Sequence, residues 1–400
     1  MFRGGEYVKK KMPLICTMIF LLGIFVWSGI IIEANESNIK FSNLYGERSQ
    51  LENVQFNLAK TKGIRNEDLI INSKEIKSET SFAESRFNSI YSGFDVLDDK
   101  KFFRGLFITS ETFYEDNDVK VDVTDKSYIN NPHFKVRIKY KKTNTYENFE
   151  IVNKFNISQE YNIIGISYEN DKINILFTKN NNEDLIIFGE INAKTKSFNI
   201  SEPIDLNKEF NIDSPYLFSS KGRSYNGKVY FDIFEDGEEV NNKKDGNTIL
   251  NGLLEININT KKINLYKPDE KINNEIKETC IDGHKGQAYI QGENIYFSFY
   301  DKEEKNISIL AFNFNTKEFT FYRDLIEKYR FERYGVNFGD IGGILIKGNK
   351  VFLDLTNFNE EELVYYNGYI SVVDINSKNP LYIGEYNDGK LRSISLMGGK

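Results

Sequence analysis

Cys280 is the one thiol outside an apolar leader, and it stands four residues before His284 in ETCIDGHKGQAYIQG. A thiol near an imidazole is the pairing of a nucleophile with its base. Nothing around these two residues supplies an activating setting, so the expectation is a loop or inner-strand pair without chemistry. His133 is the only other histidine. A three-histidine metal site therefore cannot form within one chain, and a Ser-His-Asp triad finds no Gly-x-Ser-x-Gly elbow.

Carboxylates are the serious enzymatic alternative. A glycoside hydrolase needs two of them close together, one with a raised pKa. Asp232 in FDIFEDG, Asp301 in SFYDKEE and Asp354 in FLDLTNF follow comparable apolar runs and are the candidate acids for a channel mouth. The plainer expectation makes them strand-end and turn residues. The cluster EDNDVKVDVTD at 115–125 offers Glu115, Asp116, Asp118, Asp122 and Asp125. Hard oxygen ligands suit calcium, the one cofactor this composition suggests, but the Asp-x-Asp-x-Asp-Gly order of a calcium loop is missing. A solvated acidic loop is expected there. The segment FEDGEEVNNKKDGN at 234–247 is a long charged insertion. No glycine-rich phosphate loop occurs. With 59 acidic and 52 basic residues the net charge is −7, and the cations are mixed among acids, so no nucleic-acid partner is expected.

The elements that would position these groups are strands. Ile256, Ile258, Ile263 and Leu265 alternate with Asn257, Asn259 and Asn264, and Phe312, Phe314, Phe319 and Phe321 alternate in the same way. Period two marks half-buried strands. The best helical candidate is FYRDLIEKYRFERY at 321–334, a turn or two long. Two signatures recur in a fixed order. One is a polar hairpin: INAKTKSF at 191–198, ININTKKI at 256–263, FNFNTKEF at 312–319 and VDINSKNP at 373–380. Counted on Thr195, Thr260, Thr316 and Ser377, it repeats every 65, 56 and 61 residues. The other precedes each copy: NDKINILF at 170–177, NGKVYFDI at 226–233, GENIYFSF at 292–299 and GNKVFLDL at 348–355. A unit of about four strands is too thin to bury both faces alone, and neighbours in a ring bury them for it.

The start of the chain sets an expected location. Lys9, Lys10 and Lys11 precede an uncharged run of twenty residues, Pro13 to Ile32, which contains Leu14 and ends near Trp27. As a helix it would span about 30 Å, the thickness of a bilayer core. Glu33 and Glu36 follow, so the N-terminus is expected inside and the body outside. A cleaved signal peptide is the alternative, and it would make the chain secreted; the run exceeds the usual signal length.

On the hairpins and the Gly/Asn-Lys-Val-Tyr-Phe strand starts, the chain resembles bacterial exported β-propellers with degenerate repeats, over roughly residues 85–400. Departures from better-defined propellers are clear: no Trp-Asp repeat, no Ser-x-Asp-x-Gly boxes, and one Gly-Gly, at Gly342–Gly343. The repeat units and the uncharged run, together with the resemblance, give the expectation of an all-β fold, a β-propeller of five to seven blades with six preferred, behind a single N-terminal transmembrane helix. A pair of β-sandwiches is the structural alternative. The expected division is a cytoplasmic 1–12, an anchor at 13–33, a polar stalk or entry segment at 34–84, and the propeller at 85–400. The tail GKLRSISL at 389–396 reads as a strand start with no blade behind it, available to strands from about 40–80. The expected function is non-catalytic binding of an extracellular ligand or an envelope protein. The alternatives are a carboxylate-dependent glycan hydrolase and an accessory or sensor subunit of a membrane system.

Overall fold

The computed structural model describes residues 39–62, 65–82, 99–103, 111–126, 133–153, 160–179, 182–210, 216–217, 223–225, 227–235, 239–240, 243–244, 249–279, 285–301, 305–359, 364–387 and 389–397. These residues build six antiparallel sheets of four principal strands. Sheet one pairs Lys390–Leu396 with Val54–Lys62, then Arg65–Asn72 and Ile76–Phe82. Sheet two runs Phe113–Glu115, Val119–Asp125, His133–Tyr140 and Thr145–Val152. In sheet three the order is Tyr161–Glu169, Lys172–Lys179, Asn182–Asn192 and Ser197–Ile200. Sheet four has a first strand in two pieces, Tyr216–Leu217 and Arg223–Tyr225, then Lys228–Glu235, Ile249–Asn257 and Lys262–Tyr266. Sheet five comprises Lys285–Gln291, Asn294–Tyr300, Asn306–Asn313 and Phe319–Glu327. Sheet six holds Asp340–Lys347, Lys350–Asn359, Val364–Asp374 and Pro380–Asn387, with Phe41–Gly46 added as a fifth strand outside them. This is the make-up of a six-bladed β-propeller.

Alternation along the second strands seals sheets two through six to one another, and six to one. In sheet five Ile295 and Phe297 pack with Tyr230 and Leu253 of sheet four, whereas Tyr296 between them packs with Val351 and Leu353 of sheet six. Sheet six in turn sends Phe352 and Tyr382 against Val54, Phe56 and Leu58 of sheet one. Leu176 and Phe188 of sheet three meet Val229 and Phe231 of sheet four, while Ile173, Ile175 and Phe177 meet Val121, Val136 and Ile138 of sheet two. Each such side chain stabilises the fold by about 1.5–3 kcal/mol relative to exposure. The C-terminal strand closes the order, with Leu396 opposite Val54 and Lys390 opposite Ala59. Residues 39–82 thus supply strands to sheets one and six, and the sheets begin well before residue 85.

The two repeated signatures have a common physical origin. The tight turn between first and second strands places Asn170, Asp171, Gly227, Gly292 and Gly348 at positive φ. In the hairpin between third and fourth strands, Asn192 Oδ1 accepts the N–H groups of Lys194 and Thr195, and Asn313 Oδ1 those of Asn315 and Thr316. Asn257 and Asp374 cap Thr260 and Ser377 in the same way. The lysine that follows, Lys196, Lys261, Lys317 or Lys378, takes the left-handed conformation. The residue after each Asn or Asp then ties the two turns together. Ala193, Ile258, Phe314 and Ile375 donate N–H to the carbonyls of Asp171, Gly227, Glu293 and Asn349, and Lys141 donates to Asp118 in sheet two.

Helices are short. The stretch near 321–334 is mostly strand, Phe319–Glu327, with only Tyr329–Glu332 helical. The longest helix among the described residues, Glu270–Thr279, starts where Asp269 Oδ1 accepts the Ile272 N–H at 2.8 Å. Asp269 caps this helix, which was not among the expectations from the sequence.

Candidate functional site

Each sheet has two unlike ends. One carries both signature turns, locked to each other by the bonds above. The opposite, open end carries the turn between second and third strands and the described parts of the connections that leave the fourth strands, including the helices Leu206–Phe210 and Glu270–Thr279. The helix Tyr329–Glu332 leaves sheet five there and reaches the signature hairpin of sheet six through Arg330. Within the charged 234–247 segment, between the second and third strands of sheet four, Glu239–Val240 and Lys243–Lys244 pair as a small hairpin.

Of the candidate acids, Asp301 lies at the open end. Asp301 accepts the Lys305 N–H at 2.7 Å and donates its own N–H to Asn306 O, which makes it a turn residue between two strands of sheet five. Asp354 lies inside a strand and is wholly buried. Its Oδ1 accepts the Tyr386 hydroxyl at 2.7 Å, and its Oδ2 has no partner among the described residues. Gly342 leaves the room it occupies, since a Cβ there would lie 2.1 Å from Oδ2. Asp232 holds the same position in sheet four, four residues beyond Lys228 as Asp354 is beyond Lys350. Cys280 and His284 lie outside the described residues, as do Lys9, Lys10, Lys11, Leu14, Trp27 and Ile32. Among the described residues no helix is long and apolar enough to cross a membrane.

The acids of 115–125 are separated by strand geometry rather than pooled. Asp116 caps its turn through Asp118 N–H and Val119 N–H, both at 2.7 Å. Glu115 meets Lys120 and Lys141, and Asp118 meets Lys142. Asp122 alone points inward, with Thr124 Oγ1 donating at 2.7 Å and Oδ1 without a partner among the described residues. Burial pushes its pKa up to about 7, against the opposing pull of Thr124, Arg137, Lys135 and Lys126. The described residues contain no group of three or more metal-ligating side chains.

Asp122 belongs to a polar face of sheet two. Val119, Val121 and Val123 turn toward sheet three, so Lys120, Asp122 and Thr124 point to the other side. Arg137 stands opposite Asp122 in register and donates to the Phe102 carbonyl and to Asn148 Oδ1. Lys139 and Tyr146 both bond Asp99, which caps the short Lys100–Phe103 helix through Phe102 N–H. Burial raises the Asp99 carboxyl, and these bonds outweigh it and hold the pKa below its ordinary value. His133 sits at the end of the same strand, its Nε2 3.8 Å from Glu150.

Two further groups escaped sequence reasoning. Glu255, 2% exposed in sheet four, accepts Tyr230 OH at 2.7 Å, Lys228 Nζ at 3.1 Å and Lys317 Nζ from sheet five. Burial alone would raise it, and these donors hold its pKa down to about 2. Lys317 is a signature lysine, and others also reach back to the preceding sheet: Lys378 to Glu327, and Lys196 over the Phe149 ring. At the open end, Tyr300 donates to Asp340 and Tyr289 to the Ile341 carbonyl. Burial first, then Asp340, raises the Tyr300 phenol, which therefore stays a neutral donor. Such groups fix orientation by hydrogen bonding rather than by moving protons at neutral pH.

No family model matches the chain, and no curated protein matches it in sequence. In structure it is similar to TolB from Acinetobacter baumannii, at 8% identity and a TM-score of 0.33, over 86% of this chain and 67% of that one. It is similar also to a prolyl endopeptidase, at 9% identity and a TM-score of 0.33, covering 88% of this chain and 51% of that one, about half its length. A third likeness is the β-propeller domain of the Trilobed protease from Pyrococcus furiosus, at 12% identity and a TM-score of 0.28, over 84% and 98%. The class these sheets define, an all-β protein of six four-stranded units, rests on the strand pairing itself.

Proposed function

We propose that this chain is a membrane-tethered, extracytoplasmic β-propeller that binds a ligand or another envelope protein without reacting with it, through the open end of its sheets. The observation that supports this is the inequality of the two ends. Locked turns occupy one end, and the variable connections, the helices and the charged insertion occupy the other. A scaffold fixed on one side lets connections on the other vary at low ordering cost, which suits recognition. The basic cluster and uncharged run at the start of the sequence support the tether.

The test uses the full chain in intact cells. A photo-activated cross-linker at Glu160 or Lys305, on the open end, is expected to give adducts of defined mass. The same group at Asn144 or Thr195, on the locked end, is expected to give none. Equal adducts from both ends would overturn the binding assignment. Protease added to spheroplasts is expected to remove the body, and a protected body would overturn the tether.

A further inference from the structure

We infer that the outer edge of sheet six is a docking surface for the anionic headgroup layer of the membrane that holds the leader; this rests on the tether proposed above. Six large apolar side chains are exposed among the described residues, and three of them, Leu44 (42%), Tyr45 (38%) and Tyr329 (60%), lie at this edge or on the short helix beside it. The Tyr45 and Tyr334 rings lie 4.1 Å apart, joining the fifth strand of sheet six to the segment after that helix. Arg333 stands 5.0 Å from the Tyr334 ring and Arg330 5.5 Å from the Tyr329 ring. Arg330 is held in place by Glu327, the Ser377 carbonyl and Asn379. Arg333 donates to the Arg330 carbonyl and to Asn379 Oδ1. An edge of tyrosines and guanidinium groups is the composition that sits at a bilayer interface, with rings at headgroup level and cations on lipid phosphates. It stands out on a chain of net charge −7.

Chain length keeps this edge within reach of the membrane. Ile39 is buried, and its N–H donates to Glu67 at 3.1 Å, so the polypeptide is fastened to the body there. Only residues 33–38 separate that point from Ile32. Fully extended, they reach about 25 Å. A body of about 360 residues has a radius of gyration of about 20 Å, so the tether is shorter than the body is wide. The strand Phe41–Gly46 follows directly, which keeps Tyr45 within about 20 Å of the fastening point.

The test places one environment-sensitive fluorophore on the full chain, at Leu44→Cys or at Thr195→Cys on sheet three, with Cys16→Ser and Cys280→Ser. The protein is reconstituted in phosphatidylglycerol–phosphatidylcholine vesicles that carry a headgroup spin label. Quenching is expected to be several-fold stronger at position 44 than at 195. The excess is expected to shrink in high salt, in phosphatidylcholine alone, and in Tyr329→Ser/Arg333→Gln. Equal quenching at both positions, with the protein floating on the vesicles, would overturn the docking surface and leave the tether standing. Concentration-dependent shielding of position 44 in detergent would overturn it in favour of a second copy of the chain. A protein that does not float with the vesicles would overturn the tether and this inference together.

Discussion

Glu255 and Asp354 are both buried carboxyl groups on sheet interiors, and burial has opposite consequences for them. Glu255 collects two lysines and a tyrosine, and its pKa falls to about 2. Asp354 finds one tyrosine, and its pKa is pushed up to about 7 by burial against the pull of that bond. The lesson is that the protein uses charge to join sheets four and five but tolerates a protonatable group inside sheet six. Stability must then depend on pH in two separate windows.

The largest expected effect comes from stripping Glu255 of its cations. Lys228→Met together with Lys317→Met leaves a buried carboxylate with hydroxyl and amide donors only, and should cost about 3–5 kcal/mol in denaturant unfolding. Lys317→Met alone should cost roughly half as much, because Lys228 remains at 3.1 Å. A depressed folded pKa stabilises above the unfolded value. The Glu255 contribution should therefore be complete above about pH 4.5 and fade as pH falls toward 2. Lys317→Met should flatten that acid limb.

Asp354 has the reverse sign. Its folded pKa lies above the unfolded 3.8, so the folded state binds the proton more tightly, and stability is lost as pH rises from about 4 to 7. Asp354→Asn cannot ionise and should be more stable than the parent at pH 8 by about 4 kcal/mol, with the difference vanishing near pH 4. Thermal unfolding at both pH values checks this. Asp122→Asn should behave alike, since burial raises that group to about 7 as well.

Much of the fold was legible because its signals are local. The Asn-x-x-Thr-Lys hairpins and the Gly/Asn-Lys strand starts are short-range hydrogen-bonding devices, so residue types at fixed spacing betray them. The fifth strand of sheet six was not legible. FSNLYG has no alternation, and its partner Tyr386 lies far along the chain, opposite Phe41. The burial of Asp354 was equally hidden, because the hydroxyl that meets it is 32 positions away. Sheet two misled through composition: Asp122 reads as one more acid in a run of five, and only strand alternation turns it inward while its neighbours meet lysines.

Smaller effects test the locked ends. Asn313→Ala removes the acceptor for two turn amides and should cost about 1 kcal/mol. Lys261 is exposed at φ 58°, so Lys261→Gly should relieve left-handed strain and stabilise by about 0.5–1 kcal/mol. Both are measurable as shifts of the urea midpoint.

Hydrogen exchange of the full chain, resolved to single amides, compares the two ends most directly. The account predicts slow exchange at Ala193, Phe314 and Ile375, whose N–H groups lock the signature turns together, and fast exchange at Glu160 on the open end. Fast exchange at the three turn amides, or equal protection at both ends, would contradict it.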